Sequence, residues 1–225
     1  MSADVLGELR ERARQLGRRI VLPEADDPRV VRAAAKLADA GLCKPVLLRR
    51  PGMELPPANV EVIDHERDDR LDTFAKQLVE LRKHKGLTLP QAEARVRDPL
   101  TFAAFLVRSG DCAGAVAGSL AATADVIRAG LQVIGLAEGT KTVSSCFLML
   151  LPDGRALTYA DCGVVPDPTA EQLADIAQAS ADTHVRLVGD TPKVALLSFS
   201  TKGSARHPHV DKVIAAGDEL TRRRP

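Results

Sequence analysis

Hydrophobic positions change period along the chain, and each change marks an element. Val5, Leu6, Leu9, Ala13 and Leu16 recur at helical spacing, and Gly17 follows as a stop. Residues 19–22 (RIVL) predict a short strand closed by Pro23. Pro28 suits the first turn of a helix that carries Val30, Val31, Ala34 and Leu37 to Gly41. Strands are predicted over 46–48 and 60–63, with a Pro-rich loop at 50–57 between them. From Arg67 the pattern is helical again, with Leu71, Phe74, Ala75, Leu78 and Leu81 on one face and Gly86 as its end. Helices over 90–96 and 99–108 precede a small-residue strand at 113–117. Gly118 and Ser119 then turn the chain into a helix around 123–134.

The second half has another style. Segments 142–151 and 155–160 form a β-pair joined by Pro152-Asp153-Gly154, a strong hairpin signal. Thr169 and Gln172 make a T-x-x-Q capping box ahead of a long helix to about Leu187. A last strand is predicted at 194–199 and a last helix at 210–222. Strands alternating with helices predict an α/β fold, a parallel sheet with helices on both faces. The hairpin after Gly139 places a domain boundary there, giving residues 1–139 and 140–225. The final helix runs into Arg222-Arg223-Arg224-Pro225 with no strand after it, so the chain is expected to be cut short, its second domain incomplete at the C-terminus.

Charge and composition narrow the function classes. With 31 Lys+Arg against 30 Asp+Glu the formal charge of the 225 residues is +1, which removes the electrostatic term on which nucleic-acid binding usually rests. Five Phe, one Tyr and no Trp leave no base-stacking platform. No apolar run reaches the roughly 18 residues of a membrane span, and residues 1–19 carry no signal-peptide pattern. Cys43, Cys112, Cys146 and Cys162 are scattered without a CxxC pair and read as reduced thiols of a cytoplasmic protein.

Several groupings could carry chemistry. Residues 198–204 (SFSTKGS) follow a predicted parallel strand, where ligands of open α/β sheets bind. Hydroxyls, a lysine and a glycine turn suit a phosphate or carboxylate, or equally a loop that caps the last helix. The P-loop spacing is absent. Cys162 in Asp161-Cys162-Gly163 has no histidine near it in sequence to lower its pKa, and a small buried hydrophobe is the expected role. His207 and His209 have Pro208 between them and no carboxylate or thiol alongside, which argues against a metal. Arg82-Lys83-His84-Lys85-Gly86 reads as a helix end complementing its dipole, or as a cradle for an anionic cofactor. Arg128 falls in the first turns of a helix, where a cation is disfavoured unless it has a partner. In residues 23–29 (PEADDPR), Asp26 or Asp27 is expected to be an N-cap.

In order along the chain, IVLPEADDPRV (20–30), ELRKHKG (80–86), KTVSSCFLM (141–149), YADCGVVPDPTAEQLADIA (159–177) and VALLSFSTKGSA (194–205) resemble the phosphate acetyltransferase (phosphotransacetylase) family. Phosphate butyryltransferases and the acetyltransferase-like module of malic enzymes are its close relatives. The resemblance implies two α/β/α sandwich domains of the isocitrate/isopropylmalate dehydrogenase-like type, with a site in the cleft between them. It implies reversible acetyl transfer between coenzyme A and inorganic phosphate, giving acetyl phosphate. CoA, acetyl phosphate and phosphate are then substrates, with no bound cofactor or metal, and the full-length family forms homodimers in the cytoplasm without nucleic-acid or membrane partners. An aspartate takes the proton of the CoA thiol, and a serine and arginines stabilise the developing charge.

Carried over by position, Arg82 and Arg128 are CoA- or substrate-binding groups, and Ser200, Thr201 and Ser204 line the phosphate side of the cleft. The serine-rich S-S-S-D-x-L-R-P run of the family is replaced here by Ala122-Thr123-Ala124-Asp125-Val126-Ile127-Arg128-Ala129. The family's base, serine and a third arginine belong to a P-x-N-D-L-S-R-G segment, and no such string occurs in these 225 residues. The chain by itself is therefore expected to be inactive or nearly so. The alternatives are a non-catalytic acetyl-CoA-binding regulatory module and a phosphate acyltransferase for a longer acyl group.

Overall fold

The computed structural model describes residues 4–49, 56–200 and 204–224. In chain order the elements are α1 (Val5–Leu16), β1 (Arg19–Leu22), α2 (Pro28–Asp39), β2 (Lys44–Leu48), β3 (Glu61–Ile63), α3 (Leu71–Arg82), α4 (Leu89–Arg95), α5 (Pro99–Arg108), β4 (Gly114–Ala115), α6 (Thr123–Val133), β5 (Cys146–Leu150), β6 (Ala156–Ala160), α7 (Ala170–Val188) and α8 (Pro208–Arg223). They divide into two compact units: Arg10–Gly135, and the described residues from Leu136 onward with those before Arg10.

The first unit is built on a four-stranded parallel sheet in the order β3-β2-β1-β4. Val21 stands opposite Val46 and Leu22 opposite Leu47 in the β1–β2 register. Because side chains alternate along a strand, these two rows face opposite ways. Val21, Val46 and Leu48 pack with Phe74 and Leu78 of α3 and Phe102 and Phe105 of α5. Leu22 and Leu47 pack with Ala34, Val30 and Val31 of α2 on the other face. Helices thus cover both faces, as the run of apolar residues in each strand requires. The β4 strand is shorter than the predicted 113–117. Of the predicted loop at 50–57, residues 50–55 lie outside the described residues.

In the second unit β5 and β6 form an antiparallel hairpin with Cys146 opposite Ala160 and Leu150 opposite Ala156. Thr169 caps α7, its Oγ1 accepting from the N–H of Gln172 at 3.2 Å while the Gln172 side chain accepts from the Thr169 N–H at 2.9 Å. The helix α8 is tied across by Arg223 to Asp175 of α7 at 2.6 Å.

Two predicted strands need correction. Residues 142–145 precede the hairpin without joining it. Residues 194–199 form no strand, although Val194, Leu197 and Phe199 make an apolar run. A strand exists only with a ladder partner. β6 has β5 on one edge and no strand among the described residues on the other, and a cavity of about 650 Å³ is lined by β6, α7 and residues 190–197. No helix among the described residues is long and apolar enough to cross a membrane.

Candidate functional site

In the first unit the chain builds β2 and β3 to one side of β1 and then returns to place β4 on the other. The carboxyl ends of β1 and β4 therefore flank the point where strand order reverses, the usual ligand crevice of an open parallel sheet. Here that crevice holds a side chain of the protein itself. Glu24, buried at the end of β1, accepts four backbone N–H bonds from the loop after β4: Gly118 at 2.6 Å and Ser119 at 2.8 Å on Oε2, Leu120 at 2.8 Å and Ala121 at 2.7 Å on Oε1. Gly118 has φ 106°, a conformation that favours glycine, and this turns the consecutive amides inward. Asp27 is the N-cap of α2, accepting from the Arg29 N–H at 2.8 Å, while Asp26 is exposed. Asp27 also accepts from the Ser119 hydroxyl and pairs with the Arg29 guanidinium at 2.6 Å.

Burial pushes the Glu24 carboxyl up, but the N–H groups of Ala121, Ser119, Leu120 and Gly118 outweigh it and hold the group below its ordinary 4.5. A depressed carboxyl contributes stability that is complete above its unfolded value and fades as pH falls through the folded one. Thermal melts are expected to be flat from pH 8 to 5 and to fall below about 4.5, with Glu24→Gln showing a shallower acid limb than the wild type. Equal acid limbs for both proteins would remove Glu24 from this account.

Arg82 ends α3 and is half-buried, with Nε enclosed and unpartnered among the described residues. A buried donor without an acceptor suits a residue awaiting an anionic ligand. Lys83, His84 and Lys85 form one turn of 3₁₀ helix closed by Gly86 at φ 68°, a helix end whose cations complement the dipole. Arg128 is exposed on α6 and pairs with Asp125 one turn earlier, so its position near the N-terminus has an internal partner.

In the second unit Ser200 and Ser204 approach each other, Oγ to Oγ at 2.9 Å, and Ser200 N–H donates to the Ser198 hydroxyl at 3.2 Å. Thr201 lies outside the described residues. Arg82 and Arg128 fall in one unit and the serines in the other. Asp161 is a second carboxylate clamp. It accepts from Ser145 N–H at 2.6 Å and from Gly163, Val164 and Val165 at 3.2, 2.8 and 2.8 Å, while the Cys162 N–H donates to Ser145 Oγ at 3.0 Å. The Cys162 thiol lies 3.1 Å from the Tyr159 carbonyl oxygen. His184 bridges Thr158 Oγ1 at 2.9 Å and Asp190 at 2.8 Å on the cavity wall. The His207 and His209 rings are 5.0 Å apart, His207 capping α8, and no three metal-ligating side chains cluster among the described residues.

Sequence reasoning missed Glu24 as anything beyond a turn residue. The available signal was a glutamate just past the carboxyl end of a predicted strand, where ligands of open α/β sheets bind.

The fold and this crevice define a parallel α/β protein of the kind that binds ligands at strand carboxyl ends. The family model "Phosphate acetyl/butaryl transferase" matches residues 4–225, and the chain belongs to that family. It is 40% identical over 235 residues to a phosphate acetyltransferase of Clostridium acetobutylicum, covering 99% of this chain and 71% of that protein. Over 213 residues it is 43% identical to a phosphate acetyltransferase of Paracoccus denitrificans, covering 92% and 66%. The crystal structure of a phosphotransacetylase from Streptococcus pyogenes matches with a TM-score of 0.90 at 36% identity, over 98% of this chain and 69% of that one.

Proposed function

We propose that this chain belongs to an enzyme that transfers an acetyl group reversibly between acetyl-CoA and inorganic phosphate. The observation that carries the reading is 40% identity across 99% of the chain to a protein named for that activity. In the forward sense the CoA thiol loses its proton to a base and forms a C–S bond at the acetyl phosphate carbonyl. The C–O bond to phosphate breaks, and phosphate leaves. Arg82 holds a CoA phosphate, supported by its enclosed and unpartnered Nε. Arg128, oriented by Asp125, is the second substrate-binding cation. Ser200, Thr201 and Ser204 serve the phosphate side, the paired Ser200 and Ser204 hydroxyls being suited to donate to an oxyanion. The base and its serine have no matching N-D-L-S-R string among these 225 residues. The domains of this reading are residues 1–139 and 140–225, supported by the change from a parallel sheet to a hairpin after Gly139. The working protein is read, from its family, as a cytoplasmic homodimer without a membrane partner, and its near-neutral charge supports the absence of a nucleic-acid partner.

Calorimetric titration with CoA tests the reading. The chain binds CoA, and Arg82→Ala raises the Kd about tenfold, as for one lost charge-assisted hydrogen bond. An unchanged Kd returns Arg82 to the role of a helix-end cation. Phosphate-dependent release of CoA from acetyl-CoA, measured on the intact enzyme that this chain belongs to, separates a transferase from a module that only binds acetyl-CoA.

A further inference from the structure

We propose that Glu24 is the positioning residue of the substrate-binding face of α6, acting through Arg128; this rests on the reading of Arg128 given above. The helix begins after Ala122, an N-cap that makes no side-chain capping bond. Its entry is fixed from outside instead. Both oxygens of Glu24 are saturated by the amides of the four residues 118–121 that lead into it. Asp27 adds the Ser119 hydroxyl to the same clamp. The far end is held separately, where Arg108 Nη1 donates to the Val133 carbonyl at 2.8 Å. The helix is thus pinned at two points, Glu24 holding the loop that enters its N-terminus and Arg108 a carbonyl at its C-terminal end.

Six residues separate Ala122 from Arg128, about 9 Å at the helical rise per residue. A shift at the entry loop is carried to the guanidinium through the first turns of the helix, which also hold its partner Asp125. The crevice that strand order reserves for ligands is filled by this carboxylate, so its amides are not free to cradle a substrate phosphate. They serve the geometry of the loop. A carboxamide cannot replace the carboxylate, because its NH₂ faces amide donors.

The experiment measures CoA dissociation constants by calorimetry at pH 7, well below each protein's melting temperature. It compares the wild type with Glu24→Gln, Glu24→Asp, Arg128→Ala and the Glu24→Gln/Arg128→Ala double variant. The expected result is about tenfold weaker binding for Glu24→Gln and for Arg128→Ala. Glu24→Asp recovers most of the affinity, and the double variant binds as Arg128→Ala does, because the two act as one unit. Gly118→Ala disturbs the same loop at φ 106° without touching the carboxylate and carries the test if Glu24→Gln fails to fold. It too loses affinity in the wild-type background and none in Arg128→Ala. Wild-type affinity in the folded Glu24 variant, or effects that multiply to about a hundredfold in the double variant, overturns the positioning role while leaving Arg128 as a ligand. A wild type that binds no CoA overturns the functional reading and this role with it, and is recognised because no variant then differs from it.

Discussion

Phe102→Ala is expected to remove about 3–5 kcal/mol of stability, the range for deleting a large aromatic from a packed core. Phe102 is fully buried at the centre of the larger apolar cluster of the first unit. Its ring meets Phe74 edge-on with centroids 5.4 Å apart, and Phe74 in turn stacks on Phe105 at 4.7 Å. The Arg70 guanidinium lies 5.7 Å from the Phe102 centroid, and the His65 ring is 6.0 Å away. Alanine would leave a cavity among the Phe74, His65 and Arg70 side chains, and it would take from Arg70 the nearer of its two aromatic faces, leaving Phe74 at 6.0 Å. A chain with only five phenylalanines has few other residues of that volume to fill the space. The loss is a large fraction of the roughly 5–15 kcal/mol that holds a typical domain folded. Urea unfolding followed by circular dichroism checks it, with Leu131→Ala on the exposed side of α6 as the control expected to stay within about 0.5 kcal/mol. Equal midpoints for the two variants would show that the aromatic cluster is not the core of this unit.

Local signals made most of the fold legible. The RIVL strand lies between Gly17 and Pro23 and falls at Arg19–Leu22 in the structure. The T-x-x-Q box opens α7 at Ala170, and the Pro-Asp-Gly turn joins β5 to β6 in antiparallel register. Each of these is decided within a few residues, where propensity and hydrogen bonding agree. Residues 194–199 were not legible for the converse reason. Their apolar run looks like a strand, but pairing depends on what lies across the sheet. Glu24 was hidden by distance, since the amides it binds lie 94 to 97 residues further along the chain. The Arg128–Asp125 pair was within reach, because i,i+3 spacing on a helix brings such charges together. Arg82 could be placed at a helix end from sequence, whereas its enclosed Nε depends on packing that no spacing reports.

Asp161→Asn is expected to cost about 2–3 kcal/mol at pH 7, and Asp161→Ala somewhat more, from the loss of hydrogen bonds to a charged acceptor. The carboxylate joins Ser145, just before β5, to the turn at 163–165 that follows β6, accepting the amides of Ser145, Gly163, Val164 and Val165 and the Ser145 hydroxyl. A carboxamide oriented to keep the three amides of the turn must aim its NH₂ at the Ser145 N–H, and the reverse orientation loses the turn instead. Gly163 at φ 134° makes the turn possible, so the loop has no alternative conformation of equal quality once the acceptor is gone. The pH dependence distinguishes the charge from the shape of the side chain. Burial raises the Asp161 carboxyl, but the N–H groups of Val165, Ser145 and Val164 and the Ser145 hydroxyl hold it well below the ordinary 3.8. Its contribution is therefore complete above about pH 3.8 and lost as the pH falls toward the folded value. Urea midpoints for wild type and Asp161→Asn are expected to differ by a constant amount from pH 7 to 5 and to converge below pH 4. A gap that stays constant down to pH 3 would assign the loss to the shape of the asparagine rather than to the missing charge.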